Sequence, residues 1–256
     1  MKFNPWTSGV YRYMPYREQQ FVDGEIYHVI CRALDDNLIF KDVNDYYRGV
    51  FSIYEFNNKN SVTIQRRREA RARFKKICRC RASTESVEFV DDRDTLVDIL
   101  AFCFMPNHIH LLLKQIKEDG LHKFMVKFGS GYGRYFNEKH QRKGYVFQNR
   151  FKSVHIENDE QLLVVASYIF TNPIALIEPG WKEKGIRNHS VQDVANFLEE
   201  YKWSSYRDCI GFKNFPSVTN QEVLLGIIEK EDYKNAVKEW IEHKKNMGKY
   251  SDLVLE

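Results

Sequence analysis

Apolar positions along this chain follow two patterns. Some form short, nearly continuous runs bounded by turn residues, and others recur every three to four positions. GEIYHVICRAL (24–34) is of the first kind and predicts a strand, starting at Gly24 and carrying Ile26, Tyr27, Val29 and Ile30. VNDYYRGVFSIYEFNN (43–58) is of the second kind. It predicts a helix with Asn44 as N-cap and Tyr47, Val50, Phe51 and Tyr54 at helical spacing. Residues 58–95 are polar and basic and read as an insertion. Strand character returns over 96–114. LHKFMVKFGSGYGRYFNEKH (121–140) predicts a helix weakened by Gly129, Gly131 and Gly133. GYVFQNRFKSVHIE (144–157) reads as a turn leading into a strand.

NDEQLLVVASYIFTNP (158–173) predicts a helix capped by Asn158, with Asp159 and Glu160 in the dipole-positive first turn and Pro173 at its end. From about 181 the pattern is mixed, with helical stretches at 190–203, 219–230 and 231–246. Strands separated by helices imply an α+β sheet with helices packed on one face, leaving the other face free for a ligand.

Charge and cysteine usage narrow the class. No apolar run approaches the ~20 residues of a membrane span, and MKFNPWTSGVYRYMPYREQQ lacks the apolar core of a secretory signal. Five cysteines, an odd number in 256 residues, do not make a disulfide framework, so a reducing, cytoplasmic setting is expected. The formal net charge is +4, yet residues 66–81 (RRREARARFKKICRCR) alone hold nine Lys/Arg against one Glu. Such a segment either meets a polyanion, through counterion release, or is a solvated basic helix or loop. Cys78 and Cys80 form CxC without a matching pair, which argues against a zinc ribbon.

Candidate chemistry lies in FMPNHIHLLLK (104–114). Alternation along a strand puts His108, His110, Leu112 and Lys114 on one face and Ile109, Leu111 and Leu113 on the other. Two neutral imidazoles at i and i+2 can chelate one divalent metal, or can be ordinary half-exposed histidines. Pro106 cannot donate to a ladder and marks a strand start, edge or bulge. In SYIFTN, Tyr168 and Asn172 are four apart and share a helical face. Asn172 can offer an amide oxygen to the same ion, with the Tyr168 phenol beside it. The plain alternatives are a core aromatic and a C-cap.

MPNHIHLLLK resembles the HUH motif (His, bulky apolar, His) of single-tyrosine HUH transposases, and the REP-associated tyrosine transposases in particular. YHVICRA, GYVFQNRFKS, SYIFTNP and KWSSY (202–206) fall in the family's order, so the resemblance covers roughly residues 20–212. It implies a ferredoxin-like or RRM-like core with a central antiparallel sheet over residues 20–178, interrupted by the basic insertion at about 58–95. Residues 179–256 would form a mostly helical C-terminal extension. It further implies cleavage of single-stranded DNA beside a hairpin (REP-like) element through a 5′-phosphotyrosine, followed by strand rejoining, in a monomer or homodimer.

Carried over residue by residue, the metal ligands fall on His108, His110 and Asn172, and the nucleophile on Tyr168. A site of this composition suits Mg²⁺ or Mn²⁺. Candidate DNA contacts are Arg66, Arg67, Arg68, Arg71, Arg73, Lys75 and Lys76 in the basic stretch, with Lys114, Arg150 and Lys152 nearer the motifs. Arg134, Arg142 and Lys143 are solvated charges or further contacts, and His28 and His155 are alternative ligands. Two departures stand out: CRA (31–33) replaces the family's usual NRG, and the basic insertion exceeds the usual short connection. The competing readings are a catalytically silent hairpin-binding protein of the same fold, an unrelated metal-dependent hydrolase, and an RNA-binding RRM-like module. The last of these lacks aromatic-rich strand motifs.

Overall fold

The computed structural model describes residues 20–242, apart from 64, 66–67, 70–71, 73–90, 92 and 149. Four strands, β1 (Ile26–Arg32), β2 (Val97–Met105), β3 (His108–Gln115) and β4 (Lys152–Ile156), form one sheet in the order β2-β3-β1-β4. All three pairings are antiparallel. Helix α1 (Val43–Glu55) joins β1 to β2, and α2 (Gly120–Lys139) joins β3 to β4. This is the split βαβ, ferredoxin-like arrangement. Right-handed crossovers place both connecting helices on the same face of the sheet.

That first face is an apolar layer. Tyr27, Val29, Ile109, Leu111 and Leu113 meet Val50 and Ile53 of α1 and Leu121, Phe124 and Phe128 of α2. The expected cap of α1 moves by two residues: Asp42, not Asn44, caps the helix, its carboxylate accepting from the Asn44 and Asp45 N–H groups. Both are good caps, and the one whose side chain meets the free N–H groups prevails. The three glycines do not interrupt α2. A Cβ on Gly131 would stand within 2.3 Å of the Phe56 ring, so this glycine lets the helix and that ring approach closely.

The second face differs from the sequence expectation of a free surface. Helix α3 (Asp159–Thr171), capped by Asn158 as predicted, lies across it. Further elements follow: a 3₁₀ turn (Asn172–Leu176), α4 (Trp181–Lys184), α5 (Val191–Glu200), α6 (Tyr206–Cys209), α7 (Glu222–Leu225) and α8 (Lys230–Glu242). Val165 and Ile169 of α3 join Trp181, Leu198 and Tyr233 in one buried cluster with Ala101, Cys103 and Leu112 of the sheet. An apolar set at β2 and β3 needs a cover on this side too, and α3 with the C-terminal helices supplies it. The α-helix ends at Thr171, just before Pro173 as predicted, and Pro173 opens the 3₁₀ turn that follows, where its missing N–H is one of the first-turn orphans. Among the described residues no helix is long and apolar enough to cross a membrane. Cys31, Cys103 and Cys209 are buried free thiols.

Candidate active site

β3 delivers His108 and His110 to the second face. Strand alternation is as expected, since Ile109, Leu111 and Leu113 point into the first-face core. The expectation that the histidines face an open surface is corrected: α3 lies above them and His110 is only 1% exposed. β1 pairs with β3 so that Ile30 is opposite His110 and Arg32 opposite His108. This register brings His28 alongside. Its Nε2 is 3.0 Å from His110 Nδ1, and their rings stack with centroids 5.3 Å apart. His108 Nδ1 lies 2.7 Å from Asn107 Oδ1, an acceptor, so it carries the proton and donates. Placing the His110 proton on Nδ1, donated to His28, leaves both Nε2 lone pairs for a ligand.

Burial, reinforced by the charges of Arg32 and Lys182, pulls the His108 pKa down to about 3. Burial, with His108, His28, Lys182 and Arg32 behind it, holds His110 well below the usual imidazole value. Both rings are therefore neutral near pH 7, as ligation requires.

Helix α3 brings Tyr168 over these rings. Its ring meets His110 edge-on at 5.4 Å and His28 at 5.8 Å, and it is 1% exposed. Asn172 is the C-cap of α3, as its place before Pro173 suggested. Its Nδ2 donates to the Tyr168 carbonyl at 2.9 Å, which fixes the amide so that Oδ1 is available to a cation. From α4, the Lys182 ammonium donates to the Tyr168 phenol at 3.0 Å and reaches Asn172 Oδ1 at 3.4 Å. It also lies 4.5 Å from the centre of the tyrosine ring. These groups surround a pocket of about 190 Å³, which Arg32, Trp181 and Glu183 also line.

The donor set fits a divalent cation that accepts mixed nitrogen and oxygen ligands, namely His108 Nε2, His110 Nε2 and Asn172 Oδ1. Among the described residues no group of three or more His, Cys, Asp or Glu side chains comes together as a metal centre. Metal affinity here would rest on two imidazoles and one amide. Lys182 shares the amide oxygen, so its charge opposes a cation bound there.

The remaining candidates do not join this pocket. Lys114 is on the same sheet face but four residues beyond His110, ~13 Å along the strand. Lys152, opposite Ile30, sits on edge strand β4. Arg150 borders a different cleft, beside Met125 and Phe151. His155 is opposite Tyr27 and hydrogen-bonded to Glu25 at 2.6 Å, on the other side of the sheet from Tyr168. Arg68 is exposed near α1. Arg66, Arg67, Arg71, Arg73, Lys75 and Lys76 lie outside the described residues.

Two pocket residues were not singled out as site residues from sequence, and His28, named there as an alternative ligand, instead braces His110. Arg32 had a signal, since it shares a face of β1 with His28 by alternation, but nothing in the chain told which strand β1 would pair with. Lys182, fourteen residues after Tyr168, lies in a stretch without clear periodicity and gave none.

The family of IS200-like transposases matches the chain over residues 62–172. A solved structure of a REP-associated tyrosine transposase bound to a REP hairpin is similar at 14% identity, over 81% of this chain and 92% of that one, with a TM-score of 0.42. No curated protein matches the chain. The matched span, from residue 62 to Asn172, holds His108, His110 and Tyr168.

Proposed function

We propose that the protein is a REP-associated-type tyrosine transposase that cuts and rejoins single-stranded DNA beside a hairpin, with Tyr168 as nucleophile. The observation that carries this reading is the convergence of the phenol, two neutral imidazoles, the Asn172 amide and the Lys182 ammonium on one small pocket. In this reading residues 20–178 are the transposase domain and residues 179–256 an extension, whose described part, to residue 242, packs on the second face.

The pocket is smaller than the ~300–1,000 Å³ of small-molecule sites. It therefore takes a phosphate group and leaves the bases outside. Arg32 and Lys182 place two positive charges where the phosphate oxygens would sit. Tyr168 Oη attacks phosphorus in line. The Oη–P bond forms, the P–O3′ bond breaks, the phenol proton passes to solvent, and the departing 3′ oxygen takes up a proton to become a hydroxyl. Lys182 holds the attacking oxygen in place and stabilises its negative charge as it develops. A divalent cation on His108, His110 and Asn172, when bound, supplies polarisation of a non-bridging phosphate oxygen. Because a phenolate is a fair leaving group, attack by a 3′-hydroxyl on the phosphotyrosine reverses the step and joins strands. Tyr168 is nearly inaccessible, and α4 is flanked by Gly180 and Gly185 at φ 75° and 71°. These positions can absorb the backbone change that uncovers the phenol.

The test is a cleavage assay on labelled single-stranded hairpins with flanks, in Mg²⁺ or Mn²⁺ and in EDTA. The proposal predicts metal-dependent cutting that Tyr168→Phe abolishes. Cutting that survives Tyr168→Phe would make the protein a metal-water hydrolase. Tight hairpin binding without cutting in any metal would make it a silent binding protein.

A further inference from the structure

The aromatic stripe that marked α1 in the sequence is only partly used by the core. Val50 is buried, but Tyr47 is 43% exposed, and Phe51 and Tyr54 are half-buried. Asp45, Gly49 and Ile53 occupy the inward face instead. The outward rings line a cleft of about 890 Å³, closed on its far side by Tyr135 of α2 and Phe215. The Tyr47 ring meets Trp203 and Phe215 edge-on, at 5.0 and 6.4 Å.

Two guanidinium groups enter the same cleft, from Arg48 and Arg68. Arg48 lies 5.4 Å from the Phe51 ring centre and 4.9 Å from that of Tyr135, and its Nε is buried without a hydrogen-bond partner. Among the described residues no carboxylate forms an ion pair with Arg48 or Arg68, and Glu138 acts on Arg48 only at a distance. Burial first, and the Arg68 charge second, lower the Arg48 pKa against the weaker opposing pull of Tyr135, Tyr132 and Glu138.

We propose that this cleft holds unpaired nucleotides, with bases stacked on the Tyr47, Phe51 and Phe215 rings and a backbone phosphate between Arg48 and Arg68. Flat ring walls with paired cations are what single strands require, because every base has a face to stack and every linkage a charge to neutralise. A duplex offers the arginines its phosphates but keeps its bases stacked on one another. The cleft lies on the α1 side of the sheet, away from Tyr168, so the bound strand is a flank remote from the cut. That it is DNA rests on the function proposed above; the preference for a single strand rests on the cleft alone.

Fluorescence anisotropy with a labelled oligothymidylate tests this, using full-length Tyr168→Phe protein in EDTA so that no chemistry intervenes. A duplex of equal length is the comparison. Arg48→Gln, Arg68→Gln and Tyr47→Ala are each expected to weaken single-strand binding about fivefold or more. Duplex binding should change less than twofold, and Tyr47→Phe should bind like its parent. Tyr47 and Arg68 lie at the surface, so unchanged melting temperatures will separate lost contacts from lost folding. Undiminished single-strand binding in Tyr47→Ala and Arg68→Gln would overturn the proposal, as would an equal loss on duplex. Because binding is read without cleavage, an inactive protein that still uses the cleft would sink the transposase reading and leave this one standing.

Discussion

The two faces of one sheet show how the same strands serve two ends. On the first face Tyr27, Val29, Ile109 and Leu111 pack against Phe124 and Phe128 and carry stability. Their strand neighbours His28 and His110 point to the second face, where they are as deeply buried but hold hydrogen bonds aimed at a pocket. The contrast extends to charge. Near the first face, Asp45 is closed on all sides by Lys139 at 2.7 Å, His140 at 3.0 Å and Tyr135 at 3.0 Å. On the second, Lys182 points its ammonium at a phenol and an amide that line an opening. Polar groups that satisfy one another support the fold, whereas polar groups turned toward a shared pocket can serve a ligand.

Substitutions on each face should separate these roles. Phe124→Ala removes a fully buried first-face ring and should cost ~3–5 kcal/mol in urea unfolding, with DNA adduct yield per folded molecule unchanged. Lys182→Met should do the reverse, lowering the single-turnover cleavage rate about 100-fold and moving the unfolding midpoint little.

Asp45→Asn should destabilise by ~2 kcal/mol at pH 7. Burial alone would raise the Asp45 pKa, but its bonds to Lys139, the Lys41 N–H, His140 and Tyr135 outweigh it and hold the carboxyl below its usual value. The stabilisation is therefore complete above the unfolded aspartate value of ~3.9 and is lost as pH falls through the lower folded value. Urea midpoints of wild type and variant should differ by a constant amount from pH 7 to about 5 and converge in stronger acid. The smallest expected effect is that of His28→Phe, which makes the second face resemble the first. Mn²⁺ affinity, followed by calorimetry, should fall about tenfold as His110 loses its anchor, while stability holds or rises.

Much of this division was legible in the chain. Period-two alternation in HIHLLLK sorted His110 from Ile109 and Leu111, and the Asn158 cap with period-3.6 apolar positions placed Tyr168 and Asn172 on one helix. Two things were not legible, and both depend on long-range packing. The β1–β3 register that sets His28 against His110 depends on pairing between segments 82 residues apart. The cover over the second face depends on where short helices without strong patterning dock, and that docking brings Lys182 to the phenol. For the same reason Tyr47, Phe51 and Tyr54 could be read as a helical stripe but not as an outward one. That distinction is set by Gly49, whose added Cβ would meet Phe104 and Phe40 at 2.8 Å and which therefore faces the core.

The central claim, that the second face performs covalent chemistry through Tyr168, is tested most directly by peptide mapping. The protein would be incubated with single-stranded hairpin DNA and Mn²⁺, denatured, digested with nuclease and protease, and analysed by mass spectrometry. The account predicts a nucleotide phosphate on the peptide that contains Tyr168, absent in EDTA. Cleaved DNA with no modified peptide, or with the nucleotide on another residue, would contradict it.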